Sequence, residues 1–178
     1  MLSFHPIHQA GDTHWAAWVD TYLTSFPIEE QRPLSSIERL IVEEKRFKAI
    51  ALLSHDAFIG LLTYWEFDSF VYIEHFAISP SYRSLGHGAR VLTHFVRSHS
   101  LPIVLEAEPP TEATAIRRVQ FYTRNGFVLY DYDYYQPPYA PDREGLSLCL
   151  MGTNPDNPAF SSHVAQTLHH EVYNIRLK

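Results

Sequence analysis

The chain has 178 residues, of which 46% are hydrophobic and 19% are charged, and this composition is typical of a globular protein rather than a disordered one. Its length predicts a single domain over 1–178, and its formal net charge of −6, with no basic run, excludes nucleic-acid binding by bulk attraction. The one cysteine, Cys149, excludes a disulfide within the chain, and its setting in L-S-L-C-L predicts a buried structural thiol.

The N-terminal residues MLSFHPIHQAGD lack the basic and apolar regions of a signal peptide, and no apolar run approaches the ~20 residues of a membrane span. We therefore expect a cytoplasmic protein without a membrane partner. The 11 histidines are scattered over different elements without the spacing of metal ligands, so we expect no metal site.

The first half of the chain predicts a strand, two helices and three further strands. Their ranges are 2–7, 47–54, 57–66 and 71–78 for the strands, and about 14–24 and 35–45 for the helices. Gly11-Asp12-Thr13 supplies N-cap chemistry for the first helix, while Ser35 and Glu38 fit a capping box for the second. A hairpin turn is expected at His55-Asp56, and Gly60 indicates a bulge or a close approach of another backbone segment.

The second half predicts helices and strands in alternation, followed by a C-terminal helix. The predicted ranges are strands over 103–108, 127–135 and 145–151, a helix over 113–124, and a C-terminal helix over 163–175, or about 160–176 as an appendage to the domain. Thr111 is the expected N-cap of the helix over 113–124, with Glu112 in its first turn. Asn125-Gly126 is the expected stop, because glycine tolerates the left-handed conformation at the end of a helix.

The turn after the strand over 71–78 carries the most informative pattern. Ser79-Pro80 ends that strand, and Arg83, Gly86 and Gly88 then stand in the spacing R-x-x-G-x-G ahead of a helical pattern. Glycines before a helix let backbone N–H groups approach an anion, so the pattern predicts a phosphate cradle. No lysine follows Gly88, as a nucleotide-triphosphate loop requires, and Val91 interrupts the dinucleotide fingerprint.

Two motifs resemble those of the GNAT superfamily of N-acetyltransferases. The residues I-S-P-S-Y-R-S-L-G-H-G over 78–88 resemble its motif A, V-x-P-x-x-R-x-x-G-x-G, and R-V-Q-F-Y-T-R-N-G-F over 118–127 resembles its motif B, (L/F)-Y-x-x-x-G-F. With the order of elements, the resemblance covers roughly residues 1–150. It implies the GNAT acyl-CoA N-acyltransferase fold of the mixed α/β (α+β) class, with a central, mostly antiparallel twisted sheet of about seven strands flanked by helices.

The resemblance also implies an enzyme that uses acetyl-CoA as cosubstrate and transfers its acetyl group directly to a primary amine. The implied cofactor-binding residues are those of motif A, namely Ile78, Arg83, Ser84, Leu85, Gly86, His87 and Gly88. In the family the motif B tyrosine can protonate the departing thiolate, and that role falls on Tyr122. The alternative is that Tyr122 is only a core aromatic of an amphipathic helix.

The acceptor amine must lose a proton, and Glu74 is the leading candidate for the base. A carboxylate in the middle of an apolar strand is expensive to bury, and burial raises its pKa toward a useful range. Alternation along the strand places His75 on the opposite face. Glu106, Glu108 or a water are the alternatives. Ala115 departs from the family, because many members carry an asparagine there.

By the same resemblance, the acceptor pocket involves the loop over 26–32 and the tyrosine-rich segment over 130–135. Their acidic and aromatic side chains could hold an ammonium group, so we expect a small-molecule or amino-acid-like amine as partner. The rivals are transfer of a different acyl group and a non-catalytic GNAT-like module that binds CoA or a peptide. The sequence leaves open whether the chain forms a homodimer.

Overall fold

The structure of the protein is a computed structural model, in which residues 1–173 are described. These residues form two compact units: Met1–Leu101, and a second unit that begins at Pro102. The division does not test whether the chain is one domain over 1–178, and that stays a prediction. Within the described residues, no helix is long and apolar enough to span a membrane.

Residues 1–101, all of which are described, form a sheet of four antiparallel strands in the order β1-β2-β3-β4 and three α-helices. The elements are β1 Leu2–Ile7, α1 Trp15–Ser25, α2 Leu34–Glu43, β2 Phe47–Ser54, β3 Ala57–Glu66, β4 Val71–Ile78 and α3 His87–Ser98. The four predicted strands are confirmed. Both predicted caps are wrong: His14 precedes α1 without a capping side chain, and α2 begins at Leu34, so that Ser35 lies inside its first turn.

The helices of the first unit cover both faces of its sheet. Neighbouring strand residues point to opposite faces, and Thr63 is linked through His75 to Tyr22 of α1, while the ring of Tyr64 lies 4.9 Å from that of Phe95 on α3. Helices α1 and α3 therefore pack on opposite sides. Each buried Leu or Phe side chain on these faces contributes about 1.5–3 kcal/mol to folding.

The β2–β3 hairpin confirms the prediction made for Gly60. Its turn residues His55 and Asp56 have φ of 48° and 66°, the left-handed pair that matches the twist of a tight hairpin. The register between the strands shifts next to Gly60, which marks a bulge. A Cβ on Gly60 would also lie 2.3 Å from the carbonyl oxygen of Ala77, so the backbone of β4 approaches closely as well.

Between residues 102 and 173 the structure has four strands and two α-helices, followed by a π-helix. The elements are β5 Ile103–Ala107, α4 Ala113–Arg124, β6 Val128–Leu129, β7 Tyr134–Gln136, β8 Leu146–Gly152, α5 Pro158–Thr167 and the π-helix Leu168–Tyr173. Strand β8 pairs antiparallel with β5, β6 and β7. The single strand predicted over 127–135 is therefore wrong. It is divided because the four residues 130–133 stand opposite only two residues, 149–150, of β8.

The ends of α4 and α5 are set by local hydrogen bonds. Gly126, with φ of 92°, closes α4: its N–H donates to Thr123, and that of Phe127 donates to Tyr122, as in a Schellman motif. The predicted stop is confirmed, whereas the predicted cap at Thr111 is wrong, because Glu112 takes the N-cap position. The C-terminal helix begins earlier than predicted, at Pro158, and the predicted residues 174–176 lie outside the described residues.

Candidate active site

The predicted cradle is an exposed turn between β4 and α3. After β4 ends at Ile78, a 3₁₀ turn over Pro80–Tyr82 leads to the two residues of left-handed conformation, Ser84 with φ of 63° and Gly86 with φ of 76°. Gly86 is the N-cap residue of α3. These two residues reverse the chain so that the first turn of α3 opens onto the loop.

The start of α3 can hold an anion. Among the described residues, no side chain caps this helix. The first N–H groups of an α-helix have no partner within the helix, and the helix dipole adds positive potential there. The loop that faces them is open to solvent, and Leu85 is 64% exposed. Both features are those of a backbone site for phosphate oxygens.

Arg83 braces this loop. Its Nε donates to the carbonyl oxygen of Ile78 at 2.8 Å, which ties the end of β4 to the turn before α3. Its Nη2 donates to Ser25 Oγ at 3.3 Å, at the end of α1. Arg83 therefore fixes the shape of the loop as well as adding a positive charge beside it.

Glu74 lies at a bulge of β4. Ile73 pairs with Tyr64 and His75 pairs with Thr63, so Glu74 is the extra residue between two consecutive pairs. The bulge turns Glu74 and His75 to the same face of the sheet. The predicted alternation between these two residues is wrong for this reason: their partners, Trp65 and Thr63, are two residues apart on β3 and so share a face.

The carboxylate of Glu74 is fully buried and held by two donors. Arg32 Nε donates to Oε1 at 2.6 Å and Trp65 Nε1 donates to Oε2 at 2.9 Å. The Glu74 side chain is 0% exposed and that of Arg32 is 8% exposed. Burial is the largest single influence and raises the pKa of Glu74, but the charge of Arg32 and the other groups around the carboxylate together outweigh it, so the pKa lies below its ordinary value. Glu74 is therefore an ionised, paired carboxylate.

His75 extends this network to the loop between α1 and α2. Its Nε2 donates to the carbonyl oxygen of Glu30 at 2.8 Å, and its Nδ1 lies 3.1 Å from Thr63 Oγ1. Burial lowers the pKa of His75, which favours the neutral ring. In the same loop the N–H of Arg32 donates to the hydroxyl of Tyr22 at 2.7 Å. The sequence patterns did not indicate that Tyr22 and Arg32 join this network, although a glutamate in an apolar strand is expected to need a partner.

Tyr122 belongs to the second unit, where it lies near the end of α4. It is 8% exposed, and its ring lies 5.5 Å from that of Phe121 and 5.7 Å from that of Phe127. On the same helix Arg118 Nη1 donates to Glu108 at 2.7 Å, and both side chains are about two-fifths exposed. Glu108 is thus one half of a solvated surface pair, which contributes about 0–1 kcal/mol.

Glu106, the other glutamate of β5, accepts hydrogen bonds from two tyrosines. The hydroxyl of Tyr134 donates to Oε1, and that of Tyr173, in the π-helix, lies 2.8 Å from Oε1 and 2.7 Å from Oε2. Burial and the charge of Glu106 raise the pKa of Tyr134. The sequence patterns did not indicate Tyr173, because contacts between distant segments leave no local signal.

Comparisons with known proteins concern the family and the fold of the chain. A model of the acetyltransferase (GNAT) family matches residues 13–127. A Bacteroides thetaiotaomicron structure, assigned to an acetyltransferase of the GNAT family, is 38% identical with a TM-score of 0.92, and the match covers 98% of this chain and 99% of that one. An Elizabethkingia anophelis GNAT family acetyltransferase with acetyl-CoA bound is 14% identical with a TM-score of 0.61, over 86% of this chain and 98% of that one, a likeness of fold alone.

The chain therefore belongs to the GNAT family of acetyltransferases. The predicted mixed α/β GNAT fold is confirmed. The Bacillus subtilis protein YjbC, provisionally named an acetyltransferase, is 29% identical over 112 residues, which are 62% of this chain and 56% of YjbC. The match thus spans little more than half the length of that curated relative.

Proposed function

We propose that this protein transfers the acetyl group of acetyl-CoA directly to a primary amine of a small-molecule or amino-acid-like acceptor. The observation that carries the proposal is the uncapped start of α3 behind the left-handed residues Ser84 and Gly86, within a motif A sequence. A pyrophosphate matches such a site in charge and in its need for backbone donors. The acetyl-CoA bound to the Elizabethkingia protein of the same family supports this choice of cosubstrate.

Within the cradle, backbone N–H groups would bind the phosphate oxygens, while Arg83 maintains the shape of the loop. The residues we assign to the cofactor are Ile78, Arg83, Ser84, Leu85, Gly86, His87 and Gly88. The strand amide near Ile78 would polarise the thioester carbonyl. A donor fixed there would stabilise the negative charge that develops on the carbonyl oxygen during attack.

In the transfer step the acceptor nitrogen attacks the carbonyl carbon, the carbon–sulfur bond breaks, and the thiolate takes a proton from Tyr122. The attacking amine must give up a proton, for which the sequence offers Glu74 as the leading candidate and Glu106, Glu108 or a water as alternatives. The buried pairing of Glu74 with Arg32 and Trp65 makes it a weak proton acceptor and favours the water. We assign to Glu74 the positioning of Arg32 and the loop that carries it.

Direct transfer is preferred to a route through an acyl-enzyme. The only thiol of the chain, Cys149, lies on β8 outside both motifs. Burial raises the pKa of this thiol, which reduces the thiolate fraction that a nucleophile needs.

The test is calorimetric titration of acetyl-CoA into the wild-type protein and into Gly86→Trp. Position 86 has a positive φ and no neighbour near its Cβ, so tryptophan would strain the loop and block the cradle without entering the core. Gly11→Trp is the matched control, because Gly11 also has open space around it and lies outside the motif. Binding lost only in Gly86→Trp, with both variants folded, supports the proposal. No binding by the wild type contradicts it and favours a non-catalytic module.

A further inference from the structure

The second unit contains a carboxylate, Glu106, that lies among aromatic rings. The proposed transfer step uses neither this carboxylate nor these rings. Glu106 accepts hydrogen bonds from Tyr134 and Tyr173. The ring of Tyr139 lies 5.2 Å from that of Tyr173, and the ring of His169 lies 5.5 Å from that of Tyr134. We call these five residues the Glu106 cluster.

The chemistry of this cluster suits an ammonium group. Two phenol donors stabilise the ionised form of Glu106, which is the form that attracts a cation. Aromatic faces beside a carboxylate add cation–π attraction for a bound cation. Tyr173 reaches Glu106 from a π-helix, a rare conformation that often occurs at functional sites.

A second feature, on strand β7, points to an anionic group on the ligand. Gln136 is 2% exposed, and because it is two residues beyond Tyr134 on β7, its side chain lies on the same face as that tyrosine. Within residues 1–173, the Nε2 of Gln136 is buried and has no hydrogen-bond partner. A buried donor left unpaired is costly, so this amide indicates a missing acceptor.

Arg143, in the loop between β7 and β8, supplies a further donor. Its backbone N–H donates to the carbonyl oxygen of Ala140 at 3.1 Å, in the turn that directly follows Tyr139 of the cluster. Its Nη1 is also buried and has no hydrogen-bond partner among the described residues. An amide donor at the end of β7 and a guanidinium in the loop that follows it match the oxygens of a carboxylate.

We infer that the acceptor is a free amino acid, whose ammonium group binds the Glu106 cluster and whose carboxylate binds Gln136 and Arg143. This inference rests on the proposed function and names the class of its acceptor. It separates a free amino acid from a polyamine, which has no carboxylate, and from a protein N-terminus, in which the carboxylate is an amide.

The test is calorimetric titration of each of the twenty common amino acids into the full-length protein, alone and with saturating CoA. We expect at least one to bind, and its decarboxylated and deaminated analogues to bind at least ~tenfold more weakly, since each loses one charged contact. If no amino acid binds, or if the decarboxylated analogue binds equally well, the inference is overturned.

Variants locate the two groups. Glu106→Gln keeps an acceptor for both tyrosines and should weaken amino-acid binding at least ~tenfold, and so should Arg143→Gln. Glu144→Gln, an exposed acidic residue of the same loop, is the matched control and should change nothing. Unchanged binding by Glu106→Gln or Arg143→Gln overturns the inference; for Arg143 it would mean that water alone occupies that donor.

Parallel titrations with acetyl-CoA separate this inference from the proposed function. If the wild type does not bind acetyl-CoA, the proposed function fails and this inference falls with it. If acetyl-CoA binds but amino-acid binding does not depend on Glu106, only the inference fails. All variants should bind acetyl-CoA as the wild type does, which also shows that they are folded.

Discussion

Arg32 and Glu74 form a buried ion pair, with 2.6 Å between Nε and Oε1, that joins the loop between α1 and α2 to the bulge of β4. Removal of either side chain would leave the charge of the other buried without this partner. The loop over 26–32, which the sequence assigns to the acceptor pocket, is therefore fixed to the strand that precedes the cradle.

We expect Glu74→Gln to be strongly destabilising. The change leaves the Arg32 charge buried without a counter-charge, at a cost of about 3–5 kcal/mol in the free energy of unfolding. Urea denaturation would measure it. Glu66→Gln is the control, because Glu66 and Lys48 form an exposed pair with 3.8 Å between charged atoms and should contribute only about 0–1 kcal/mol. Equal decreases in the free energy of unfolding would show that the buried pair contributes no more to stability than the exposed pair.

Stability should fall with decreasing pH in two stages. Burial lowers the pKa of His75 from 6.5, so the folded state resists a proton that the unfolded chain accepts, and stability declines as pH drops below 6.5. The pKa of Glu74 is lowered from 4.5, so its contribution is present above pH 4.5 and is lost below it. Urea denaturation from pH 8 down to about pH 3 tests both stages. In His75→Gln the decline that begins near pH 6.5 should be smaller, and an unchanged decline would assign it to other groups.

Tyr122→Phe should slow acetyl transfer while leaving acetyl-CoA binding nearly unchanged. Loss of a general acid typically lowers turnover by about 10²–10⁴-fold. Release of CoA thiol measures turnover, and calorimetry measures binding. Tyr64→Phe, a tyrosine of β3 packed against Phe95, serves as the control and should retain full turnover. Unaltered turnover in Tyr122→Phe would remove this residue from the mechanism.

Gly60→Ala should destabilise the first unit. The new Cβ would lie 2.3 Å from the carbonyl oxygen of Ala77, so β3 and β4 must separate locally, at a cost of about 1–3 kcal/mol. Thermal denaturation would show a lower Tm. In contrast, Gly11→Ala has open space around its Cβ and should leave Tm within a degree or two of the wild type. A Tm for Gly60→Ala equal to that of Gly11→Ala would mean that the backbone of β4 moves away from the new Cβ without a measurable loss of stability.

Sequence patterns predicted the elements whose signals are local. The strand that ends at Ile78, the hairpin turn at His55-Asp56 and the stop at Gly126 each depend on a few neighbouring residues, and all three are found as predicted. The turn between β4 and α3 is similar, because the spacing of Arg83 and Gly86 gives a local signal, while its use as a phosphate cradle stays a prediction.

The misses in the sheet and in the buried hydrogen-bond networks concern contacts between distant segments, whereas the wrong helix caps at Ser35 and Thr111 had local signals. Alternation along β4 fails at Glu74 because a bulge is set by the pairing of two strands, and a single strand does not reveal it. Arg32 is 42 residues from Glu74 and Tyr173 is 67 residues from Glu106, so no periodicity links either pair. The divided strands β6 and β7 likewise follow from their shared partner, β8.

The backbone carbonyl oxygen of Tyr122 accepts the N–H of Phe127 in the motif that ends α4. The proposed proton donor is therefore aimed by the same turn that Gly126 makes possible. A substitution at Gly126 that reduces turnover would not identify this glycine as part of the chemistry. It would mean that the phenol is retained but that its hydroxyl no longer lies in the position needed to protonate the thiolate.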